Sequence, residues 1–469
     1  MEKTSKTYIL IRLILLFLAF FLLHFAFRIG ESQYYYDVVT YHSIGKSMFA
    51  DGHFSLRTLN NDTRGFVFPF IMGISSYFNE KIGFASSFRI ISSAFLALFV
   101  SIFNEFCKSC FVRKEQDLRR IILGDVVFTV LLCFFFYGII IYPLTDIYAA
   151  LLCSGSAFVI YRILKSDCAK KSIGFAFGAG ILAYLSYNTR TIYSLYIITV
   201  LIVLAAFAIK RHELLKGIGT IIGYVLGILI SAIPQFMINW WNYHIVSPWI
   251  NTENIFAEQL FWGLQYSRYA TYVGNPEIHS PGLYFYDRTG QCILSECGQR
   301  ELPITIQSYV TLFLEHPLEY VSVFGRHLYN ACFILFPESY ITDLGKNLIP
   351  LALLSLAVVF LFLVLLVAKC RNRQIDGTMA AVTFAMIVPT LAILFGAVEE
   401  RFLILPYILI YGFIAYYDYS SLKRYITKKN IVILLCIMCL FFISALSVEN
   451  NILINLGEHP LYFRGIFIE

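Results

Sequence analysis

The sequence predicts an all-α, polytopic membrane protein, and three features of the chain support that class. Of its 469 residues, 58% are apolar and only 14% are charged, whereas a soluble domain carries about 25% charged residues. Apolar stretches of spanning length follow one another, and the basic residues concentrate in alternate loops. The 44 Phe and 32 Tyr need burial, which excludes a disordered chain. A soluble enzyme is disfavoured by the same composition.

The predicted spans are the stretches of roughly 20 mainly apolar residues that a bilayer requires. There are eleven: 8–27, 90–107, 121–142, 147–164, 172–187, 192–209, 218–239, 349–368, 379–396, 402–419 and 430–447. We expect helices, because lipid offers the backbone no hydrogen-bond partners and the alternation of a membrane barrel is missing. The first stretch is interpreted as a retained anchor, since it is long and lacks a small-residue cleavage site.

The distribution of basic residues predicts the orientation. Six short segments totalling 55 residues hold 20 of the 36 Lys and Arg, and such loops are retained in the cytoplasm. The amino terminus is therefore predicted to be cytoplasmic, in a multi-pass protein of the inner (plasma) membrane. The predicted organisation is a catalytic membrane module at 1–239 that includes a first external loop at 28–89, a large extracytoplasmic loop at 240–348, C-terminal membrane helices at 349–447 and an external tail at 448–469. The net charge of +6 reflects this topology, and no basic stripe indicates nucleic-acid binding.

The cysteines divide by compartment. Cys107 and Cys110 form a CxxC motif at a cytoplasmic helix end, but no second pair follows, so a zinc site is disfavoured. Cys292 and Cys297 lie in the large external loop, where a disulfide could persist. The sequence leaves that disulfide open.

Charged residues are rare inside the predicted spans and recur at their outward ends. Glu105 and Asp125 lie within a span near the cytoplasmic side, where snorkelling of the side chain would explain them. The outward positions are Asp37, Asp146, Arg190, Glu399, Glu400 and Arg401. Because intramembrane ionisable groups usually mark function, this distribution favours a site on the external face over a transport path.

The first external loop contains YYYDVVTYHSIGKSMFADGHF, in which Val38, Tyr41, Ile44 and Met48 share one helical face. This spacing predicts an amphipathic helix along the membrane surface. Asp37 stands at its start, where it can be a helix cap, a substrate contact or both. A second short apolar stretch, at 66–78, follows Arg64. Besides a role in a site, Arg64 could simply be solvated or contact a lipid headgroup.

The later outward turns each carry charge. Asp146 opens the fourth predicted span after Pro143, where the helix dipole alone could explain an acid. Arg190 lies at a tight re-entry in SYNTRTIY, where a planar guanidinium can grip a phosphate. AVEERFLILPY carries the remaining three residues, which could also form a solvated turn.

Taken in order, these motifs resemble the C-type membrane glycosyltransferase superfamily, and most closely family 39, which includes protein O-mannosyltransferases and the aminoarabinose lipid A transferase. DVVTYHSIGKSMFADG matches the family's first acidic loop at Asp37 and Tyr41. Thr145-Asp146, Asn188-Thr189-Arg190 and the segment from Glu399 to Tyr407 match the later motifs. RGFVFPF keeps Arg64 and Pro69 but lacks the family's double proline. The similarity covers predicted helices one to seven, nine and ten.

The resemblance implies a transferase that moves a sugar, a hexose or pentose, from a polyprenyl-phosphate donor to a hydroxyl of an extracytoplasmic lipid-linked glycan or lipid, with inversion. Asp37 would be the base and Asp146 would orient it or the sugar. Arg64, Arg190 and Arg401 would bind the donor phosphate. Tyr41, Glu399 and Glu400 would contact substrate, with Glu400 either pairing with Arg401 or binding a sugar hydroxyl. No cofactor is certain; a divalent cation, Mg²⁺ or Mn²⁺, stays open. Such an enzyme would modify the cell envelope, for example lipopolysaccharide or its O-antigen.

Two rival functions remain open. An O-antigen polymerase or ligase also has about a dozen helices, a large external loop and arginines for a pyrophosphate, but lacks an early acidic loop followed by an interfacial helix. A flippase or transporter predicts midplane charges and two similar halves, which the sequence does not have. The external tryptophans, such as Trp249 and Trp262, fit an interfacial belt or sugar stacking.

Overall fold

A computed structural model of the chain describes most of the sequence. The described residues are 6–50, 53–59, 61–78, 82–112, 118–166, 168–273, 282–296, 298, 305–334, 338, 340–341, 349–372, 375–419, 430 and 432–444. The chain divides into two compact units. Unit 1 comprises 1–129, 139–252 and 375–389, and unit 2 comprises 130–138, 253–374 and 390–469. The predicted tail at 448–469 lies outside the described residues, and so does Cys297, one of the two cysteines whose disulfide the sequence leaves open.

Helices account for nearly all of unit 1. They are α1 (Lys6–Phe27), α2 (Asp37–Met48), α3 (Val67–Tyr77), α4 (Phe84–Phe111), α5 (Leu118–Ile141), α6 (Thr145–Leu164), α7 (Ala169–Thr189), α8 (Ser194–Lys210) and α9 (Leu214–Tyr243). A short 3-10 helix, Thr191–Tyr193, joins α7 to α8. The central residues of α5 belong to unit 2.

Helices α7 and α9 of unit 1 pack closely through glycines. A Cβ on Gly180 would lie 2.0 Å from the carbonyl oxygen of Tyr224, and one on Gly227 would lie 2.0 Å from that of Phe177. The two backbones are therefore in direct contact, which only glycine permits at these positions. Small residues at helix crossings are a recurrent device in membranes, where apolar burial supplies little drive for helix association.

A buried ionic cluster ties α1 to α4 and α5. Arg12 is 4% exposed, and its Nη1 lies 2.9 Å from Glu105 Oε1 and 3.6 Å from Asp125 Oδ2. The Tyr8 hydroxyl also donates to Asp125. The snorkelling expected for these two acids stays a prediction, and the structure adds a guanidinium from another helix as their partner. Sequence spacing could not show this partner, which lies more than 90 residues away for Glu105.

Unit 2 combines helices with a small sheet. Its helices are α10 (Glu253–Gln265), α11 (Arg288–Glu296), α12 (Ile306–Glu315), α13 (Pro317–Cys332), α14 (Ile349–Arg371) and α16 (Ile404–Tyr416), with α17 at Val432–Ser444. α15 (Gly377–Ile393) begins in unit 1 and ends in unit 2. The sheet has the order β2-β1-β3, with β1 (Tyr266–Tyr272) antiparallel to β2 (Gly282–Tyr286) and parallel to β3 (Tyr340–Ile341). The prediction of an all-helical chain did not include this sheet.

The helices explain the membrane character of the protein. Within the described residues, seven helical segments are long and apolar enough to cross a bilayer: Lys6–Phe27, Phe84–Phe111, Leu118–Ile141, Thr145–Leu164, Thr191–Lys210, Leu214–Tyr243 and Pro350–Arg371. The other four predicted spans coincide with α7, α15, α16 and α17. The predicted helices of the first loop are also present, as α2 and α3, and α2 buries the predicted face of Val38, Tyr41, Ile44 and Met48. The chain is a multi-pass helical membrane protein.

Candidate functional site

Asp37 and Arg64 form an ion pair at the start of α2. Arg64 Nη2 donates to Asp37 Oδ1 over 2.6 Å, and the two side chains are 29% and 35% exposed. Asp37 lies in the first helical turn, directly after Tyr36, whose φ of 47° is rare for a non-glycine residue. Such backbone strain is kept only where surrounding contacts determine it and often accompanies a functional position. The carboxylate is thus held in place and remains reachable from water.

Tyr41 lies one turn beyond Asp37, on the buried face of α2. The Arg64 guanidinium carbon is 5.6 Å from the centre of its ring. The ring of Phe68 packs against it in a T-shaped arrangement, with the ring centres 5.1 Å apart. Burial raises the pKa of Tyr41, and the charge of Asp37 adds to this rise. The charges of Arg64 and Arg190 and a hydrogen bond with Thr145 oppose it. The phenol is therefore neutral, and it is close enough to both arginines to feel their charge.

A second ion pair joins Asp146 to Arg190. Asp146 lies in the first turn of α6, where the helix dipole favours a carboxylate. Its side chain is 1% exposed and that of Arg190 is 21% exposed. Arg190 caps the C-terminus of α7 in an extended conformation, with φ of −152°, so its side chain leaves the helix end toward α6. This pair is far more buried than the Asp37–Arg64 pair.

Asn188 fixes the spacing between the two arginine-bearing segments. Its Oδ1 accepts a hydrogen bond of 2.9 Å from the backbone N–H of Val67, three residues after Arg64, and it lies two residues before Arg190. A Cβ on Gly65 would fall 1.8 Å from the Asn188 carbonyl oxygen. The loop that carries Arg64 is therefore seated directly on the end of α7.

A chain of buried amides supports Asn188. Its Nδ2 donates to Gln235 Oε1 over 2.9 Å, and Gln235 Nε2 donates to Asn239 Oδ1 over 2.9 Å. Asn239 in turn donates to the carbonyl oxygens of Ser247 and Trp249. In this series each side-chain amide donates to the next group. Such a connected hydrogen-bond network specifies a single arrangement of the groups that it joins.

Unit 2 carries a separate ionic group around the turn that precedes α16. Arg401 Nε donates to Glu399 Oε2 over 2.7 Å, and Glu400 pairs with Arg268 of β1. We expected Glu400 to pair with Arg401 or to bind a sugar hydroxyl, and that role stays a prediction. The structure adds Arg268 as a partner of Glu400, and the 3-10 helix Glu400–Leu403 begins directly after Glu399. Arg268 is 3% exposed and had no signal in the sequence beyond its charge.

The predicted site residues thus fall into two groups. Asp37, Tyr41, Arg64, Asp146 and Arg190 belong to unit 1, where Asn188 joins the two segments that carry the arginines. Glu399, Glu400 and Arg401 belong to unit 2, each within an ion pair. Sequence reasoning used Asn188 only as part of a motif and missed its role as a spacer. The available signal was weak: an asparagine two residues before an arginine at a helix end. Giving this asparagine more weight would have identified Asn188 as a candidate.

Asp37 and Asp146, the two acids that could hold a divalent cation, each face a guanidinium, and the divalent cation stays a prediction. Across the part of the chain that the structure describes, no group of three or more His, Cys, Asp or Glu could hold a metal. Comparisons of the chain with protein-family models, with curated proteins and with solved structures find no match. The class that fold and composition define is therefore that of a multi-pass helical membrane protein.

Proposed function

We propose that the protein is a membrane glycosyltransferase that moves a sugar from a polyprenyl-phosphate donor to a hydroxyl of an extracytoplasmic glycolipid or lipid-linked glycan. The observation that carries this proposal is the set of two Asp–Arg ion pairs on segments that Asn188 joins, with Tyr41 beside Arg64. The reaction needs cations for the phosphate that leaves and a carboxylate for the hydroxyl that attacks. Both are present in one small region of unit 1.

The proposed displacement proceeds in a single step. Asp37 takes the proton of the acceptor hydroxyl while the acceptor oxygen forms its bond to the anomeric carbon. The bond from that carbon to the phosphate oxygen breaks, and its electron pair leaves with the polyprenyl phosphate. Arg64 and Arg190 stabilise the charge that the phosphate gains, because charge-assisted hydrogen bonds from guanidinium groups are strong in a desolvated site. The configuration at the anomeric carbon of the sugar inverts, and no step uses a metal ion.

The exposures of the two pairs suggest different roles for the two acids. An ion pair that is about a third exposed is worth about 0–1 kcal/mol, so Arg64 can exchange Asp37 for the donor phosphate at little cost. That exchange would free Asp37 to act as the base. Asp146 is almost fully buried, and removing one partner of a buried pair costs about 3–5 kcal/mol. Asp146 would therefore stay paired and act as a positioning residue for Arg190.

The remaining details of the proposal follow the sequence. The chain would cross the inner membrane eleven times, with a cytoplasmic amino terminus and the site on the external side. The substrate roles predicted for Glu399, Glu400 and Arg401 stay predictions, since all three residues are paired within unit 2. The sugar and the acceptor are not specified by any contact in the site.

The test is a donor-cleavage assay on the full chain in lipid vesicles. Polyprenyl phosphates carrying different hexoses and pentoses are supplied with envelope glycolipids, and release of free polyprenyl phosphate is followed by mass spectrometry. We expect release with one donor, and a loss of at least a hundredfold in Asp37→Asn. Glu31→Gln is the matched control, because it removes an exposed acid from the same external loop, where it pairs with His42.

Two outcomes of that assay would overturn the proposal. Chain extension from a pyrophosphate donor with Asp37→Asn fully active would favour the polymerase or ligase. Movement of an intact lipid-linked sugar across the vesicle, without any release of polyprenyl phosphate, would favour the flippase.

A further inference from the structure

Helices α12 and α13 of unit 2 leave a large apolar surface uncovered. Its side chains are between 49% and 79% exposed. They are Ile306, Val310 and Leu314 of α12 and Leu318, Val321 and Leu328 of α13. Contiguous exposed apolar patches on a folded protein mark an interaction surface. We call these six residues the apolar face.

Both helices have the same three-sided arrangement. With 3.6 residues per turn, the apolar face occupies an arc of about 80° on each helix. A second arc is exposed and polar, with Thr311 on α12 and Ser322 on α13. The third arc is buried and includes Leu312 and Tyr320, which belong to the core of unit 2. The apolar face is therefore not the side that packs on the protein, and it is separated from the side suited to water.

The end of α13 lies at the depth of a membrane-spanning helix. Ser355 of α14 donates through Oγ to the carbonyl oxygen of Cys332 over 3.0 Å, and it accepts from the backbone N–H of Ile334 at 3.2 Å. Ser355 lies six residues into α14, about 9 Å along its axis, and the apolar span of that helix begins at Pro350. The C-terminal end of α13 is therefore level with the apolar part of α14.

We propose that α12 and α13 lie in the membrane interface, with the apolar face against the acyl chains of the phospholipids. Interfacial amphipathic helices bury their apolar side by about 5–10 Å at the boundary of headgroups and acyl chains. α14 supplies the argument for lipid as the occupant: α13 is fastened to this spanning helix, whose own Leu354 is exposed on the outside of unit 2. The end of α13 is thus held by a helix whose own apolar side chains are exposed. This inference does not depend on the proposed enzymatic function.

The test compares neighbouring positions of the full chain in vesicles of phosphatidylethanolamine and phosphatidylglycerol. Val310→Cys and Val321→Cys place a thiol on the apolar face, whereas Thr311→Cys and Ser322→Cys place one on the adjacent polar arc. Reaction with a charged, water-soluble maleimide is followed peptide by peptide, which separates these thiols from the native cysteines. We expect the two polar-arc thiols to react at least tenfold faster. Equal rates within each pair would overturn the proposal.

A second measurement distinguishes lipid from protein as the cover. The unmodified chain is photolysed in the same vesicles with a phospholipid that carries a diazirine in its acyl chain. We expect the lipid adduct on peptides that contain Leu314, Leu318 and Val321. Protection of the cysteine variants without any lipid adduct would show that another protein surface covers the apolar face, which also contradicts the proposal.

Discussion

Neutralising the acid of each Asp–Arg pair should change the stability of the protein to a very different extent. In Asp146→Asn, Arg190 loses its charge partner at a position where the acid side chain is 1% exposed. Removing one side of a buried pair costs about 3–5 kcal/mol. Because Arg190 itself is 21% exposed, water screens part of its charge, and we expect about 3 kcal/mol, the lower end of that range. Asp37→Asn removes a pair exposed by about a third, which contributes about 0–1 kcal/mol.

The assay is equilibrium unfolding of the full chain in mixed micelles at rising SDS fraction, followed by circular dichroism. Asp146→Asn should unfold at a clearly lower SDS fraction than the wild type, and Asp37→Asn should stay close to it. The double variant Asp146→Asn/Arg190→Gln should recover part of the loss, because no buried charge is left unpaired. Equal stabilities of Asp146→Asn and Asp37→Asn would refute the assignment of a positioning role to one acid and an accessible base to the other.

Three further predictions concern other parts of the chain. Asn188→Ala leaves the backbone N–H of Val67 without its acceptor, so we expect about 1–3 kcal/mol of destabilisation together with a raised KM for the donor; a donor KM equal to that of the wild type would exclude the spacer role. Gly227→Ala places a Cβ 2.0 Å from a carbonyl oxygen, whereas the Cβ of Gly174→Ala meets nothing within 4 Å. Unfolding in SDS should show that Gly227→Ala lowers the unfolding free energy by at least about 1–3 kcal/mol. Gly174→Ala should raise it by up to about 1 kcal/mol. Burial lowers the pKa of His327 from 6.5, although the carbonyls of Leu394 and Tyr266 and the charge of Asp287 oppose the shift and Arg326 adds to it. The stability that the neutral imidazole contributes is complete above about pH 6.5 and is lost as the pH falls toward the lowered pKa. His327→Gln should therefore weaken the pH dependence of the unfolding free energy measured between pH 7 and 5.

The bilayer makes much of this fold predictable from sequence. Spanning helices need a fixed apolar length, and the eleven predicted stretches all coincide with helices. The buried face of α2 also follows from local spacing, since residues three and four apart share one side of a helix. The strands β1 and β2 were not predicted from the sequence. Alternation of side chains in that segment is too irregular to signal a strand by itself.

The pairing of the site residues was less accessible to sequence reasoning. Charge and position at helix ends indicated Asp37, Asp146 and Arg190, but they could not show which acid meets which arginine. Asp146 and Arg190 are 44 positions apart, and their pairing depends on how α6 packs beside the end of α7. The same limit explains Arg12, whose acidic partners lie on two other helices. Contacts between distant segments require the packed structure.

If Arg64 and Arg190 bind the same phosphate, each must contribute to the affinity of the purified chain for decaprenyl phosphate. That affinity is measured for the wild type, Arg64→Gln, Arg190→Gln and the double variant. A charged hydrogen bond is worth about 1.5–3 kcal/mol, so each single variant should bind about 10 to 100 times more weakly. Arg57→Gln, which changes an exposed arginine that stacks on Trp241, should bind as the wild type does. Unchanged affinity in either Arg64→Gln or Arg190→Gln would contradict the account.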